Sequence, residues 1–234
     1  MIGLRILART HCIDPERIDA FRDIPVANVS DCMARMSAGG ARLRPMHGMH
    51  GAGRLAGPAL TVKTRPGDNL MIHQALEMAV PGDVIVVDGG GDLTNALIGE
   101  LMTTYARGRG VAGFVIDGAI RDLDVIAAGD LPVYAAGVTH RGPYKDGPGE
   151  INVPVAIDGM VIEPGDLVLG DADGVLAVPL AAADAVLAAA RAKVAAEKAA
   201  LQAIAEGRLD QSWIAATLAR LGCERPETPG GGRG

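Results

Sequence analysis

The sequence is poor in aromatic residues, with one Trp, three Tyr and two Phe among 234 positions. Its core must therefore be built from Ala, Val, Ile and Leu. Cysteine is also scarce. Cys12, Cys32 and Cys223 are odd in number, far apart and lack a C-x-x-C pairing. That excludes a disulfide framework and points to a reducing, cytoplasmic setting. Only four of the 22 basic residues are lysines (Lys63, Lys145, Lys193 and Lys198), no basic patch is present, and the formal charge is −6. A general nucleic-acid surface is excluded, because neutralising phosphates takes clustered Lys and Arg. No apolar run reaches the ~20 residues that span a bilayer. The amino-terminal MIGLRILARTHCID has no continuous apolar stretch and no small-residue cleavage site, so neither a membrane partner nor a secretory leader is expected.

What the chain has in quantity is glycine (32) and proline (14), spread through periodic sequence. That combination marks many tight turns. Asp14-Pro15-Glu16 predicts a helix start, with Asp as N-cap and Pro in the first turn. A short helix is expected after Pro25, with Val26, Val29, Cys32 and Met33 on one face. Residues 37–58 read as loop and turn. Residues 59–64 read as a strand, followed by a helix capped by Asp68 and ending near Pro81. Two similar units follow. VIVVD (84–88) runs into Gly89-Gly90-Gly91 and a helix that starts at Thr94 or Asn95 and reaches about Arg109. FVID (114–117) runs into Gly118 and a helix over about 121–128.

Strand, glycine turn, helix, strand is the rhythm of parallel βαβ construction, so an α/β fold is expected. Short strands at 132–135, 153–157, 160–163, 167–170 and 175–178 read as an antiparallel second half wrapped around the first. A long Ala-rich helix over about 180–206 and a shorter one over about 210–221 complete the chain. The expected division is an α/β domain over 1–179, a helical arm over 180–222 and a disordered tail over 223–234.

Several places could carry chemistry. The turn Gly89-Gly90-Gly91 is either a plain glycine turn or a cradle whose bare N–H groups attract a phosphate. No Gly-Lys-Ser/Thr follows, and the third glycine of a dinucleotide fingerprint falls on Thr94; Asp117 as a ribose ligand keeps that reading open. Arg121 and Asp122, at the mouth of the second unit, could be helix capping. They also stand where parallel sheets bind ligands, outside the carboxyl ends of strands. There Arg can hold a carboxylate bidentately, and Asp a hard divalent cation. In the long helix Leu180, Leu187, Val194 and Leu201 recur every seven residues, with Ala183, Ala190, Glu197 and Ile204 three residues on. Glu197 is thus a carboxylate in an apolar seam, with Lys193 and Lys198 on flanking faces. Either the seam opens to water at Glu197, or it packs on a site that needs negative charge. His47 and His50 form an H-x-x-H without a nearby third ligand, short of a zinc site. His11, His73 and His140 are isolated. Ser30, Ser37 and Ser212 lack a nucleophile elbow, and Lys63 is a snorkelling lysine or a Schiff-base candidate.

GDVIVVDGGGDLTNALIGEL (82–101), RGVAGFVIDGAIRD (109–122) and PGDLVLGDADGVLAVP (164–179), in that order, resemble the RraA-like family. That family includes 4-hydroxy-4-methyl-2-oxoglutarate/4-carboxy-4-hydroxy-2-oxoadipate aldolases and protein regulators of ribonuclease E. The resemblance covers about residues 25–206. It implies a swivelling β/β/α fold with a long C-terminal helical arm, in a ring-shaped trimer often stacked into a hexamer. It further implies that Asp122 binds Mg²⁺ or Mn²⁺ and that Arg121 binds the substrate. Gly99-Glu100-Leu101-Met102 would start a helix whose amides hold a pyruvyl carboxylate, against the start at Thr94 or Asn95 read from the residues. Glu100 would take the acidic position near metal-bound water, and Glu197 would be the carboxylate contributed by an adjacent subunit. The implied activity is metal-assisted retro-aldol cleavage of a small keto acid to pyruvate, with oxaloacetate decarboxylation through the same enolate. The alternative within the family is a binding regulator of a ribonuclease with no chemistry. Members have also been labelled methyltransferases, but the turn Asp88-Gly89-Gly90-Gly91-Asp92 has Asp92 where that loop needs its last glycine.

Overall fold

The computed structural model describes residues 2–34, 38–48 and 54–224, in two compact units, Met1–Ala192 and Lys193–Gly234. The first unit opens with β1 (Leu4–Ile6), α1 (Pro15–Arg22), α2 (Val26–Cys32) and β2 (Arg44–Pro45). Then come β3 (Leu55–Thr64), α3 (Leu70–Met78), β4 (Val84–Asp88), β5 (Ala96–Ile98), α4 (Glu100–Gly108), β6 (Gly113–Ile120), α5 (Leu123–Ala128) and β7 (Val133–Val138). The second half contributes β8 (Gly149–Ile151), β9 (Val155–Ile157), β10 (Met160–Ile162), β11 (Leu167–Asp171) and β12 (Gly174–Val178). α6 (Ala183–Ala205) leaves the first unit at Ala192, and α7 (Ser212–Arg220) follows it.

β3, β4, β6 and β7 form a parallel core in that order. β8 adds antiparallel to β3, β1 parallel to β8, and β2 antiparallel to β7. Side chains alternate across a sheet with period two, and here that splits the aliphatic residues between two cores. Ile85, Val87, Phe114 and Ile116 pack with Ile72, Leu76, Met102 and Ala106 of the crossover helices. Val84, Val86 and Val115 join Phe21, Val29 and the strands β9–β12 on the other face. Both faces of the central strands are thus buried, which is why VIVVD and FVID read as continuous apolar runs.

The capping expected of Asp14 is present: its Oδ1 accepts the Arg17 N–H at 2.9 Å, with Pro15 at the first helical position. Four expectations are corrected. Residues 37–58 are not all loop, because β2 lies within them and β3 begins at Leu55, where β11 pairs with it over Leu55–Pro58. The helix expected from Thr94 or Asn95 is instead β5, a strand paired with Ala119 and Ile120, and α4 begins after Gly99. β6 runs three residues past Asp117, where β4 ends, and backbone groups on that exposed edge need partners; β5 supplies them. The helix expected over 121–128 accordingly starts only at Leu123. β7 belongs to the parallel core, not to an antiparallel half. The N-cap position of α3 is Asn69, but the side-chain cap expected of Asp68 is present: its Oδ1 accepts the Leu70 N–H at 3.0 Å. Of the tail expected over 223–234, residues 225–234 lie outside the described residues, as do Ser37 and His50.

Candidate active site

Because β6 outruns β4, it delivers Ile120-Arg121-Asp122 to the carboxyl end of the parallel core, beside the junction of β5 and α4. The Arg121 N–H donates to the Ile98 carbonyl at 3.0 Å. Asp122 then takes a left-handed backbone, φ 56° and ψ 39°, a conformation that costs a non-glycine residue roughly 1–2 kcal/mol. This turn brings its carboxylate onto the first turn of α4. Asp122 Oδ2 accepts the Glu100 N–H at 2.9 Å, and Arg121 Nε lies 3.6 Å from the same oxygen.

Gly99 makes the approach possible. A Cβ on it would overlap Asp122 Oδ2 outright and sit 2.9 Å from Arg121 Cγ. Gly99 supplies no side-chain cap to α4; the Glu100 N–H is taken by Asp122 and the Met102 N–H by the Gly99 carbonyl at 3.1 Å, and the positive end of the helix still faces this corner. The structure therefore brings Gly99, Glu100, Leu101, Met102, Arg121 and Asp122 together. Leu101 is exposed and Met102 buried, so alternate residues of the turn face solvent and core.

A cleft of about 150 Å³ opens beside this corner, lined by Gly99, Leu101, Met102 and Arg121 and by Asn69, His73 and Lys145. It is smaller than the roughly 300–1,000 Å³ of pockets for drug-sized ligands, a size for a short acid rather than a dinucleotide. Asn69, His73 and Lys145 were not singled out by sequence reasoning as site residues. The Asn69…His73 spacing of four, which aligns both on one helix face, was the signal available.

Asp68 holds this side of the cleft. Its Oδ1 accepts the Leu70 N–H at 3.0 Å, and its Oδ2 accepts the Asp146 and Gly147 N–H groups at 2.8 and 2.9 Å. Arg65 pairs with the same Oδ2 at 3.0 Å. Burial alone would raise this carboxyl, but three backbone donors and Arg65 outweigh it and hold it below the ordinary aspartate value. One carboxylate thus ties the start of α3 to the loop that carries Lys145. Burial and the nearby Lys145 ammonium both push the His73 imidazole below its ordinary value, which keeps it neutral near pH 7.

The remaining candidates fall elsewhere. Gly89 and Gly91 donate their N–H groups to the Asp117 carbonyl at 3.2 and 3.1 Å, and Gly90 donates to Asp88 Oδ1 at 3.1 Å. All three amides are occupied and no helix follows, so the phosphate cradle and the dinucleotide reading are set aside. Asp117 is buried and pairs with Arg42 at 2.8 Å. His47 is buried against Tyr134, its Nδ1 3.1 Å from the Val133 backbone, a core histidine. Lys63 is exposed opposite Glu150 in the neighbouring strand. Glu197, in the second unit, is half-exposed, and Lys193 Nζ lies 3.4 Å away; the flanking lysine one turn earlier reaches it.

The RraA-like family model (aldolase/RraA) matches residues 26–177. A protein of Halalkalibacterium halodurans, provisionally named 4-hydroxy-4-methyl-2-oxoglutarate aldolase, is 40% identical over 189 residues, 81% of this chain and 89% of that one. Among solved structures, an uncharacterised protein from Pseudomonas syringae pv. tomato aligns with a TM-score of 0.74 and 28% identity over 84% of this chain and 95% of its own. The RNA-processing inhibitor RraA from Thermus thermophilis aligns with a TM-score of 0.61 and 31% identity over 67% and 93%.

Proposed function

The chain belongs to the RraA-like family, and from that premise we propose that it is a divalent-metal-dependent aldolase that releases pyruvate from 4-hydroxy-4-methyl-2-oxoglutarate-type acids, with oxaloacetate decarboxylation as a second activity. The observation that carries this reading is the convergence of Arg121, Asp122 and the start of α4 on Gly99.

The donor set suits Mg²⁺ or Mn²⁺. Among the described residues no group of three or more His, Cys, Asp or Glu could cage a metal, which argues against a structural zinc-type centre. A hard cation that keeps most of its waters needs only one or two carboxylates plus substrate oxygens. Asp122 supplies one carboxylate beside the cleft. Its Oδ2 is occupied by the Glu100 N–H, which fixes the orientation of Oδ1. Bound there, the ion would supply Lewis-acid polarisation of the keto acid.

The protein's own groups do the rest. The positive N-terminal end of α4 attracts the carboxylate next to the keto group. The Arg121 guanidinium lies where negative charge grows on the keto oxygen as the C3–C4 bond breaks, and preorganised charge at such a position is worth several kcal/mol. The Glu100 side chain orients the water that takes the proton from the 4-hydroxyl. The oxygen's electrons then form the new carbonyl, the C3–C4 pair enters the enolate, and a proton returned to C3 gives pyruvate. For 4-hydroxy-4-methyl-2-oxoglutarate both products are pyruvate.

We assign Glu197 to the same site in a neighbouring subunit of a ring-shaped trimer or hexamer. The arm supports an assembled state: Val194, Leu201, Ile204, Trp213 and Leu221 are all exposed, more apolar surface than a solitary helical arm carries without a partner. A purely regulatory role, as the likeness to the Thermus inhibitor suggests, would leave the corner at Gly99 without use. Pyruvate formation from 4-hydroxy-4-methyl-2-oxoglutarate and from oxaloacetate, with Mg²⁺ and after exhaustive chelation, tests the reading. Release that stops on chelation and returns with metal supports it; activity that survives chelation removes the mechanism. Inactivity together with tight capture of a ribonuclease E scaffold would replace it with the regulatory one.

A further inference from the structure

We propose that the cavity between α1 and the turn joining α3 to β4 is a second ligand site, separate from the candidate active site, and that it takes a neutral ring-shaped molecule carrying one carbonyl-type acceptor.

The first ground is size and construction. The cavity holds about 510 Å³, inside the roughly 300–1,000 Å³ range of ligand pockets. Pro58 and Asp83, on its lining, immediately precede Ala59 and Val84, where β3 and β4 begin their parallel pairing. It therefore opens at the amino ends of the parallel strands, whereas Arg121 and Asp122 follow the carboxyl end of β6. Its walls are fastened independently of any ligand. The Ile13 N–H donates to the Gly165 carbonyl at 2.9 Å, and the Gly82 N–H to the Gly110 carbonyl at 2.8 Å. A Cβ on Gly57 would overlap the Gly82 carbonyl, so the turn between α3 and β4 lies directly on β3. Walls held in place before binding are the preorganisation that recognition requires.

The second ground is charge, which selects a neutral occupant. Three carboxylates line the cavity, and each has its own cation: Asp14 pairs with Arg17, Asp19 with Arg22 at 3.1 Å, and Asp83 with Arg9 at 2.6 Å. The two guanidiniums on the lining, Arg9 and Arg22, are thereby matched as well. A charged ligand would bring an uncompensated charge into a partly buried volume, which is costly. The rest of the lining is apolar, from Ile13 and Ile18 to Val80. Pro15, Pro58 and Pro81 add rigid apolar surface without an N–H. Val80 is 51% exposed, apolar surface that a ring would remove from water.

The third ground is a set of uncommitted donors. Asp83 is buried, and both of its oxygens are used: Oδ1 by Arg9 Nη1, and Oδ2 by the Val80 N–H at 3.0 Å. Arg9 differs. A guanidinium has five N–H donors, and Asp83 and the Ala59 carbonyl engage Nη1 alone, at 2.6 and 3.4 Å. Nε and Nη2 make no hydrogen bond among the described residues. The buried carboxylate thus neutralises Arg9 and holds it in place while leaving donors for an acceptor on the ligand.

The test uses three bicyclic probes on the full-length protein, titrated by saturation-transfer difference NMR. Coumarin is a neutral lactone, naphthalene keeps the rings without the acceptor, and coumarin-3-carboxylate adds a charge. Coumarin should bind the wild type saturably and at least about 10-fold more tightly than either of the others, the worth of one hydrogen bond to a charged group. Arg9→Lys keeps a cation on Asp83 but removes the free donors of the fork, and it should lower coumarin to the affinity of naphthalene. Val80→Trp, a change at an exposed position on the rim, should fill the cavity and abolish coumarin binding. Saturating pyruvate with Mg²⁺ should leave coumarin binding unchanged. No saturable binding to folded wild type, equal or tighter binding of the carboxylate, displacement by pyruvate, or full coumarin affinity in Val80→Trp overturns the site. None of these readouts needs turnover, so they decide the proposal whether or not the protein is an aldolase.

Discussion

Asp122 adopts a left-handed backbone conformation that only Gly, Asn and Asp visit readily, and it does so while presenting a carboxylate to a helix start. Conformation and chemistry can therefore be separated by substitution. Asn tolerates the same φ and keeps an oxygen for the Glu100 N–H, but it carries no charge for a cation. Asp122→Asn should leave stability within about 0.5 kcal/mol of wild type by urea denaturation, as changes that keep the local geometry do. Turnover should nonetheless fall at least about 100-fold, as when a charge-stabilising group is removed. A large loss of stability would instead make Asp122 a structural cap.

Gly99 makes the complementary case. Any side chain there collides with Asp122 Oδ2 and Arg121 Cγ, although its own φ of −159° suits any residue. Gly99→Ala should push the two charged groups away from α4 and cost about 100-fold in kcat, since a displacement of roughly 1 Å has that effect. Arg121→Lys should be impaired to a similar degree, because an ammonium does not reproduce the planar fork.

At the scale of elements, the cleft depends on the tie between α3 and the loop at 144–147, and Asp68 is that tie. Its carboxyl is held below the ordinary value by backbone donors and Arg65. It therefore stabilises the fold above the unfolded-state value of about 3.9, and that contribution is lost as pH falls through the lowered native value. Asp68→Asn should be less stable than wild type by about 2 kcal/mol at pH 7, the scale of a hydrogen bond to a charged group. The gap should close as pH falls through that lowered native value; a gap that does not change with pH would mean the charge has no part in the tie.

The elements that were legible in the sequence are those whose signals are local. Asp14-Pro15 marked its own helix start, and VIVVD and FVID marked strands buried on both faces. β5 was not legible, because Ala96-Leu97-Ile98 is too short an apolar run to carry a strand signature. Its conformation is imposed by the edge of β6 beyond Asp117, a pairing that exists only once the sheet has formed. The corner at Gly99 was legible only in part. Arg121 and Asp122 stood out by position, and Gly99 through the family resemblance. Asn69, His73 and Lys145 are separated by up to 76 positions and meet only through the Asp68 tie, so no local pattern announces them.

For the whole molecule, the two compact units and the exposed apolar residues of the arm make assembly part of the proposed site. If Glu197 serves the Asp122 of a neighbour, two inactive variants should complement one another. After subunit exchange of equal amounts of Asp122→Ala and Glu197→Ala, about one quarter of the sites in a ring should have both residues intact, by random placement around a cyclic symmetry. Activity should return to about that fraction of wild type. No recovery despite proven exchange would confine each site to one chain.

In the proposed reaction this chain stabilises the enolate of pyruvate at the corner of Gly99, Arg121 and Asp122. The most direct measurement is exchange of the pyruvate methyl protons for deuterium in D₂O, followed by proton NMR, because it reports enolate formation without a choice of aldol substrate. Wild-type protein with Mg²⁺ or Mn²⁺ should exchange these protons, with none exchanged above background after chelation and none in Asp122→Asn. Metal-saturated, folded wild-type protein that leaves the methyl protons in place, or exchange that persists in Asp122→Asn, would contradict it.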